Sequence, residues 1–167
     1  EDESQITVSC PDAGNTFIYK GSAYEPEVTV TRVGIGTLVE DEAYTVTYEN
    51  NTDAGTASVT VKGIGNYAGT KTFQFTIAPK NISETDVTLA VGGKTDGSYS
   101  AVYTGSGITP DVEVAFGSIE LEENTDYTLT HGSADVNNIN AGTVPVTVTG
   151  AGNYTGTRSS NFIISPR

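Results

Sequence analysis

One cysteine, one histidine, no methionine and no tryptophan occur among the 167 residues of the chain. A single thiol, Cys10, permits no disulfide within the chain. It follows the run Ile6-Thr7-Val8-Ser9 and is expected to be buried as a small apolar residue. One Cys and one His cannot furnish the full nitrogen and sulfur ligand set of a structural zinc site. His131 alone, with no nucleophile motif near it, offers no Ser-His-Asp or Cys-His arrangement. Bases are scarce: 8 Lys and Arg stand against 21 Asp and Glu, a net charge of −13. That field repels phosphate backbones and anionic headgroups, so nucleic acid and membrane surfaces are not expected partners. No apolar run approaches the roughly 20 residues that cross a bilayer, so no membrane insertion is expected. No window carries a helical apolar stripe. The opening Glu1-Asp2-Glu3-Ser4 is acidic and unlike a signal peptide, so the chain is expected to be a mature or excised piece.

What is present is strand-forming and repeated. Apolar residues make up 36% of the chain and glycine adds 19 residues, which together is close to the share in folded domains. Thr, Val, Tyr and Ile dominate the apolar and β-branched content, and these favour strands. Gly63-Ile64-Gly65-Asn66-Tyr67-Ala68-Gly69-Thr70 returns as Gly150-Ala151-Gly152-Asn153-Tyr154-Thr155-Gly156-Thr157, an offset of 150 − 63 = 87. The same offset carries Val59 and Val61 onto Val146 and Val148, and Phe75, Ile77 and Pro79 onto Phe162, Ile164 and Pro166. Upstream the offset drops to 84 at Pro26 and Pro110, and to 83 at Tyr44 and Tyr127. The drift places length differences near residues 34–38 and 132–140, which are therefore read as loops.

Alternation of period two marks short strands in each copy, as in Val28/Val30, Tyr44/Val46/Tyr48 and Phe73/Phe75/Ile77. In the first copy the strands are expected near 5–9, 16–19, 27–32, 37–40, 43–48, 56–62 and 70–78. In the second they are expected near 86–91, 99–103, 111–116, 119–122, 126–131, 143–149 and 157–164. About seven short strands at this spacing argue for an immunoglobulin-like sandwich of two antiparallel sheets. The expected fold class is all-β: two tandem domains spanning residues 1–79 and 80–167, joined by a short linker after Pro79 that favours an extended rod.

The repeated octapeptide joins two long strands. Its glycines permit positive φ and close backbone approach, and Asn66 tolerates left-handed geometry. Tyr67 and Tyr154 are expected to fold back over the core with their hydroxyls hydrogen-bonded, as a tyrosine corner does. An exposed tyrosine platform for sugar rings is the functional alternative. A dinucleotide reading fails, because the glycine spacing is wrong and no helix follows.

The unit resembles the Gly-x-Gly-Asn-Tyr-x-Gly-Thr repeats of large secreted and cell-wall proteins of Gram-positive bacteria, the immunoglobulin-like modules of the type called MBG. The matching positions include Tyr19-x-Gly21, Pro26, Tyr44 to Tyr48, Ala54-Gly55, Gly63 and Phe75-x-Ile77, and in the second copy Tyr103-x-Gly105, Pro110, Asp126-Tyr127-Thr128, Asn140-Ala141-Gly142 and Phe162-x-Ile164. The resemblance implies an extracellular, secreted or cell-wall-attached protein in which such modules act as spacers, stalks or adhesion units. It implies no shared catalytic residue.

Other chemistries find little material. The acid groups Glu40/Glu42 and Glu120/Glu122/Glu123 fall in turns and not in an aromatic cleft, so glycosidase action is not expected. The stretch Asp135-Val136-Asn137-Asn138-Ile139-Asn140, with Asp126 near it, is oxygen-rich but fits no EF-hand spacing and is read as a polar loop. A Lys–Asn crosslink shared by both copies is not expected, since Lys20, Lys62 and Lys71 align with Thr104, Thr149 and Arg158. The chain is thus expected to be a non-enzymatic, monomeric spacer or adhesion module with no catalytic residues, metal or cofactor. Its expected partners are neighbouring domains of the same polypeptide and, in the alternative reading as a carbohydrate-binding module, a cell-wall, host or dietary glycan. Tyr24, Tyr48 and Tyr99 are the rings to inspect for a sugar-binding face.

Overall fold

A computed structural model describes residues 5–167. The chain is all-β, with several sheets and no α-helix among the described residues. It divides into two compact units, the first ending at Ala78 and the second beginning at Pro79.

The first unit carries β1 (Ile6–Ser9), β2 (Thr16–Ile18), β3 (Thr29–Arg32), β4 (Gly36–Thr37), β5 (Tyr44–Glu49), β6 (Gly55–Gly63) and β7 (Thr70–Ala78). One sheet is ordered β1-β3-β4 and the other β2-β7-β6-β5. Val30 from the first sheet packs with Tyr44 and Val61 from the second in one buried cluster, with Ile6, Val8, Val46 and Phe73 around it. A second cluster gathers Ala57, Phe75 and Ile77 under Phe17, Tyr19 and Tyr24. This facing of two sheets over alternating side chains is what a β-sandwich requires.

The second unit carries β8 (Lys80–Asn81), β9 (Val87–Val91), β10 (Ser100–Val102), β11 (Val112–Phe116), β12 (Ile119–Glu120), β13 (Tyr127–His131), β14 (Gly142–Gly150), β15 (Tyr154–Thr155) and β16 (Thr157–Ser165). Its sheets are ordered β12-β11-β9, β10-β16-β14-β13 and β15-β8. Val91, Val144, Val146, Phe162 and Ile164 form its buried cluster, with Tyr99, Ile108 and Leu129 packed against them.

The expectation of purely antiparallel sheets is corrected. β2 lies parallel to β7, with Phe17 beside Ile77, and β10 lies parallel to β16, with Ala101 beside Ile164. Alternation reveals which side chains face the core but not which sheet edge a short strand joins. Here β2 and β10 join the outer edge of the last long strand, whose direction they share. The β8–β15 pair is also parallel and was not anticipated from the sequence.

Candidate functional site

The octapeptides connect β6 to β7 and β14 to β16. In the first unit Gly63 N–H donates to the Gly69 carbonyl at 3.0 Å, and Tyr67 N–H to the Ile64 carbonyl at 3.0 Å. A Cβ on Gly63 would lie 2.9 Å from the Tyr67 carbonyl carbon and the Ala68 nitrogen, so only glycine fits. Gly150 meets the same obstruction from Thr155 and Tyr154. Positive φ falls on Gly65 and Gly152, at 63° and 60°, and not on the asparagine that follows each.

The two motif tyrosines differ. Tyr154 is 3% exposed, whereas Tyr67 is only half-buried against the Val30–Val61 cluster. The Arg32 guanidinium carbon stands 5.8 Å from the Tyr67 ring centre. Beside Tyr67 lies a groove of about 290 Å³ lined chiefly by Ile6, Val8, Val30, Tyr44 and Val61, with Lys71 at its wall. Among the described residues no carboxylate or histidine lines it. Burial pushes the Tyr44 hydroxyl above its ordinary value, and the charge of Glu40 adds to this. The described residues of the groove therefore offer apolar contact and backbone edge.

Hydrogen bonding of the tyrosine-corner kind is found at other rings. The Tyr48 hydroxyl donates to the Pro26 carbonyl at 2.8 Å. In the second unit His131 Nε2 stands 3.3 Å from the Pro110 carbonyl, and since a carbonyl only accepts, that nitrogen bears the proton. The strand register makes these equivalent positions: Tyr48 faces Val59, and His131 faces Val146. His131 is thus the counterpart of Tyr48, and it is half-buried with its ring 6.4 Å from Phe162.

The remaining rings are mostly turned inward. Tyr24 stacks on Phe17 at 4.6 Å, donates its hydroxyl to the Ile18 carbonyl at 2.6 Å, and carries the Lys20 ammonium 4.1 Å from its centre. Tyr99 packs against Phe162 at 6.4 Å. Tyr44 and Tyr127 are buried. Among the nine tyrosines only Tyr103 is exposed, at 38%. Tyr24, Tyr48 and Tyr99 do not form one open face: each is half-buried in a different set of contacts.

The polar candidates are also placed. Asn137 Oδ1 accepts the Ile139 and Asn140 amides at 3.0 Å each, so the insert is held by its own turns. Asn138 Nδ2 donates to the Ile108 carbonyl at 3.1 Å while the Ile108 amide donates to Asn138. Asn51 and Tyr24 make the same pair of bonds in the first unit. Asn138 is therefore the counterpart of Asn51, and the extra residues lie between Gly132 and Asn138. Asp126 accepts the Glu122 amide at 3.0 Å, and Glu40, Glu42, Glu120, Glu122 and Glu123 all lie in the open. No group of three His, Cys, Asp or Glu side chains converges among the described residues. Cys10 is buried, and register puts it where Val91 sits in the second unit.

Lys80 escaped sequence reasoning. Among the described residues it is the only buried charged side chain, 6% exposed, with Nζ 2.7 Å from Glu84 and 2.8 Å from Asp86. Its ammonium lies 5.0 Å from the Phe116 ring centre. The Lys-x-x-x-Glu-x-Asp spacing was the available signal, since both acids follow within one turn of chain. No protein-family model matches the chain, and no curated protein matches it.

Proposed function

We propose that the chain is a tandem of immunoglobulin-like modules acting as a non-catalytic spacer or adhesion unit. In this reading it belongs to an extracellular, secreted or cell-wall-attached bacterial protein and is joined to neighbouring domains of the same polypeptide. The observation that carries this reading is the inward commitment of the aromatic side chains. Sugar-binding faces use exposed, aligned rings, and here eight of nine tyrosines are buried or half-buried. The two hydroxyls of Tyr24 and Tyr48 are spent on main-chain carbonyls. The repeated octapeptide supports the same view, because its glycines answer steric needs of the connection and its acids are absent. The resemblance to MBG-type repeats supports the extracellular setting.

Affinity electrophoresis through gels containing starch, xylan, mannan or mucin tests the proposal. The expected result is mobility equal to that of a non-binding control protein in every gel. Retardation abolished by Tyr103→Ala or Tyr24→Ala would replace the spacer with a carbohydrate-binding module.

A further inference from the structure

In the second unit a short strand lies alongside the octapeptide tyrosine, the place where the first unit has its groove. There β8 runs parallel to β15, with Lys80 beside Tyr154 and Asn81 beside Thr155. The Lys80 amide donates to the Asn153 carbonyl and the Ile82 amide to the Thr155 carbonyl, both at 2.9 Å. The Ile82 side chain is fully buried. Arg158 Nη1 then reaches over the segment to the carbonyls of Ile82 and Glu84, at 3.3 and 2.9 Å.

The residues that receive this strand have equivalents in the first unit. Asn153, Tyr154, Thr155 and Arg158 correspond to Asn66, Tyr67, Ala68 and Lys71. Among the described residues no strand forms at or pairs with residues 66–68. Tyr67 is left half-buried, and among the described residues Lys71 Nζ stands 3.5 Å from the Val8 carbonyl and 5.1 Å from the Phe73 ring centre. An edge with free main-chain groups beside an apolar groove recruits an extended strand.

Register shows what the occupant looks like. Val8 faces Val30 as Leu89 faces Val114, which aligns Ile6 with Val87. Counting back in sequence from there, the alignment sets Glu1 against Ile82 and the Lys80 position ahead of residue 1. The docking sequence itself recurs. Phe75-Thr76-Ile77-Ala78-Pro79-Lys80 is echoed by Phe162-Ile163-Ile164-Ser165-Pro166-Arg167, so each unit runs out into Pro followed by a base.

We propose that the groove beside Tyr67 is the docking site for one in-line strand: the Pro-basic-x-aliphatic segment with which a preceding unit of the same kind ends. This rests on the reading of the chain as part of a longer tandem protein. The aliphatic residue fills the groove over Val30, Tyr44 and Val61, the strand pairs with residues 66–68, and Lys71 takes the bridging role of Arg158. Each unit in such an array is completed by the chain that enters it, which couples the folding of one unit to the integrity of its junction.

The test adds Pro-Lys-Asn ahead of residue 1 of the full chain together with Glu1→Ile, which reproduces the spacing of Pro79-Lys80-Asn81-Ile82. Amide exchange at residues 66–70 is expected to slow by about tenfold or more, with a shift of the Tyr67 ring resonances. The unfolding midpoint of the first unit is expected to rise by about 5 °C. A companion with the same extension and Glu1→Ser has the length and the base but not the aliphatic side chain, and it should show less than a third of the slowing. Unchanged exchange in the isoleucine version, or comparable slowing in both, overturns the proposal. Resonances of the second unit report in every version that the chain is folded. A negative result here leaves the glycan-gel outcome untouched, so failure of strand docking and failure of the spacer reading are told apart.

Discussion

The two units solve the same packing problem with different side chains, and the differences separate scaffold from ornament. Each ties an aromatic or heteroaromatic ring on its fifth-strand equivalent to a buried proline carbonyl, but one uses Tyr48 and the other His131. Each clamps a loop with an asparagine, Asn51 or Asn138, whose side chain and carbonyl bond one residue across the fold. The first unit backs its core with the Phe17–Tyr24 stack, where the second has Ala101 and Ile108 and brings in Tyr99 instead. What is kept is the main-chain carbonyl to be satisfied and the volume to be filled. The residue type that does so is free to change. Burial of polar main-chain groups without partners is costly, so the bonds persist while the donors vary.

The largest effects are expected where the units agree. Phe75 and Phe162 occupy equivalent, fully buried positions facing Ala57 and Val144. Truncation to Ala removes the same ring and leaves a cavity in each, at a cost of about 3–5 kcal/mol. Chemical denaturation of Phe75→Ala and Phe162→Ala, followed by unit-resolved NMR, should show each loss confined to its own unit. A loss shared by both units would break the picture of two separate cores. Ile82→Ala comes next, at about 2–4 kcal/mol and in the second unit alone, although the residue stands at the very start of that unit. A cost under about 0.5 kcal/mol, typical of a surface site, would remove Ile82 from the core.

These positions also show what could be read without coordinates. The octapeptide repeat and the alternation at Val59/Val61 and Val146/Val148 suffice for strands, their inward faces and the offset between copies, because burial on one face enforces period two. They do not disclose β8 and β15. Two-residue strands have no period to detect, and they exist through mutual pairing of main-chain groups. The parallel placement of β2 and β10 was hidden for the same reason. Tyr24, Tyr48 and Tyr99 were singled out as rings to inspect for a sugar-binding face, but all three are half-buried, and the hydrogen-bond acceptors of Tyr24 and Tyr48 lie 6 and 22 residues away, a distance that alternation cannot span. Lys80 was missed because a lysine beside a proline reads as linker until its two acids are seen to fold back on it.

A smaller effect sharpens the Tyr48–His131 equivalence. Tyr48→Phe keeps the ring and deprives the buried Pro26 carbonyl of its donor, at about 1–2 kcal/mol. His131→Phe should cost about 1 kcal/mol in the second unit by the same loss at Pro110. Urea denaturation of the two variants at neutral pH checks both values. If His131→Phe is neutral while Tyr48→Phe is not, the histidine contact is incidental and the parallel between the units ends at geometry.

The smallest predicted effect is one of pH, and it distinguishes the units by the Lys80 cluster. The hydrogen bond from Lys80 holds the Asp86 carboxyl below its ordinary 3.8, against a weaker opposing push from burial. For Lys80 burial pulls downward, but the hydrogen bonds and charges of Asp86 and Glu84 outweigh it and leave the ammonium above its ordinary 10.5. A carboxyl lowered in the folded state contributes stability at pH above its unfolded value and loses it as pH falls through the folded one. A raised lysine contributes below its unfolded value and loses the contribution as pH rises through the folded one. The second unit should therefore show an acid shoulder below about pH 4 that involves Asp86. Its alkaline loss is not diagnostic, because burial also raises the hydroxyls of Tyr44 and Tyr48 in the first unit and Tyr127 in the second, and all three favour unfolding once pH passes their unfolded value of 10.0. On the acid side Asp96 of the same unit, held low by its hydrogen bonds from Ser98, adds to the loss, so the cluster is isolated by comparison with a Lys80 variant. Lys80→Met keeps the apolar stem over Phe116 and frees Glu84 and Asp86, which are half-exposed and regain water readily, so the cost at neutral pH stays modest. Unit-resolved denaturation at pH 3 and pH 6 should then show a smaller drop for the second unit of Lys80→Met than for the parent chain, with the first unit unchanged. An identical drop in both proteins would mean that Asp86 gains nothing from Lys80 and that the buried lysine serves only to carry its apolar stem.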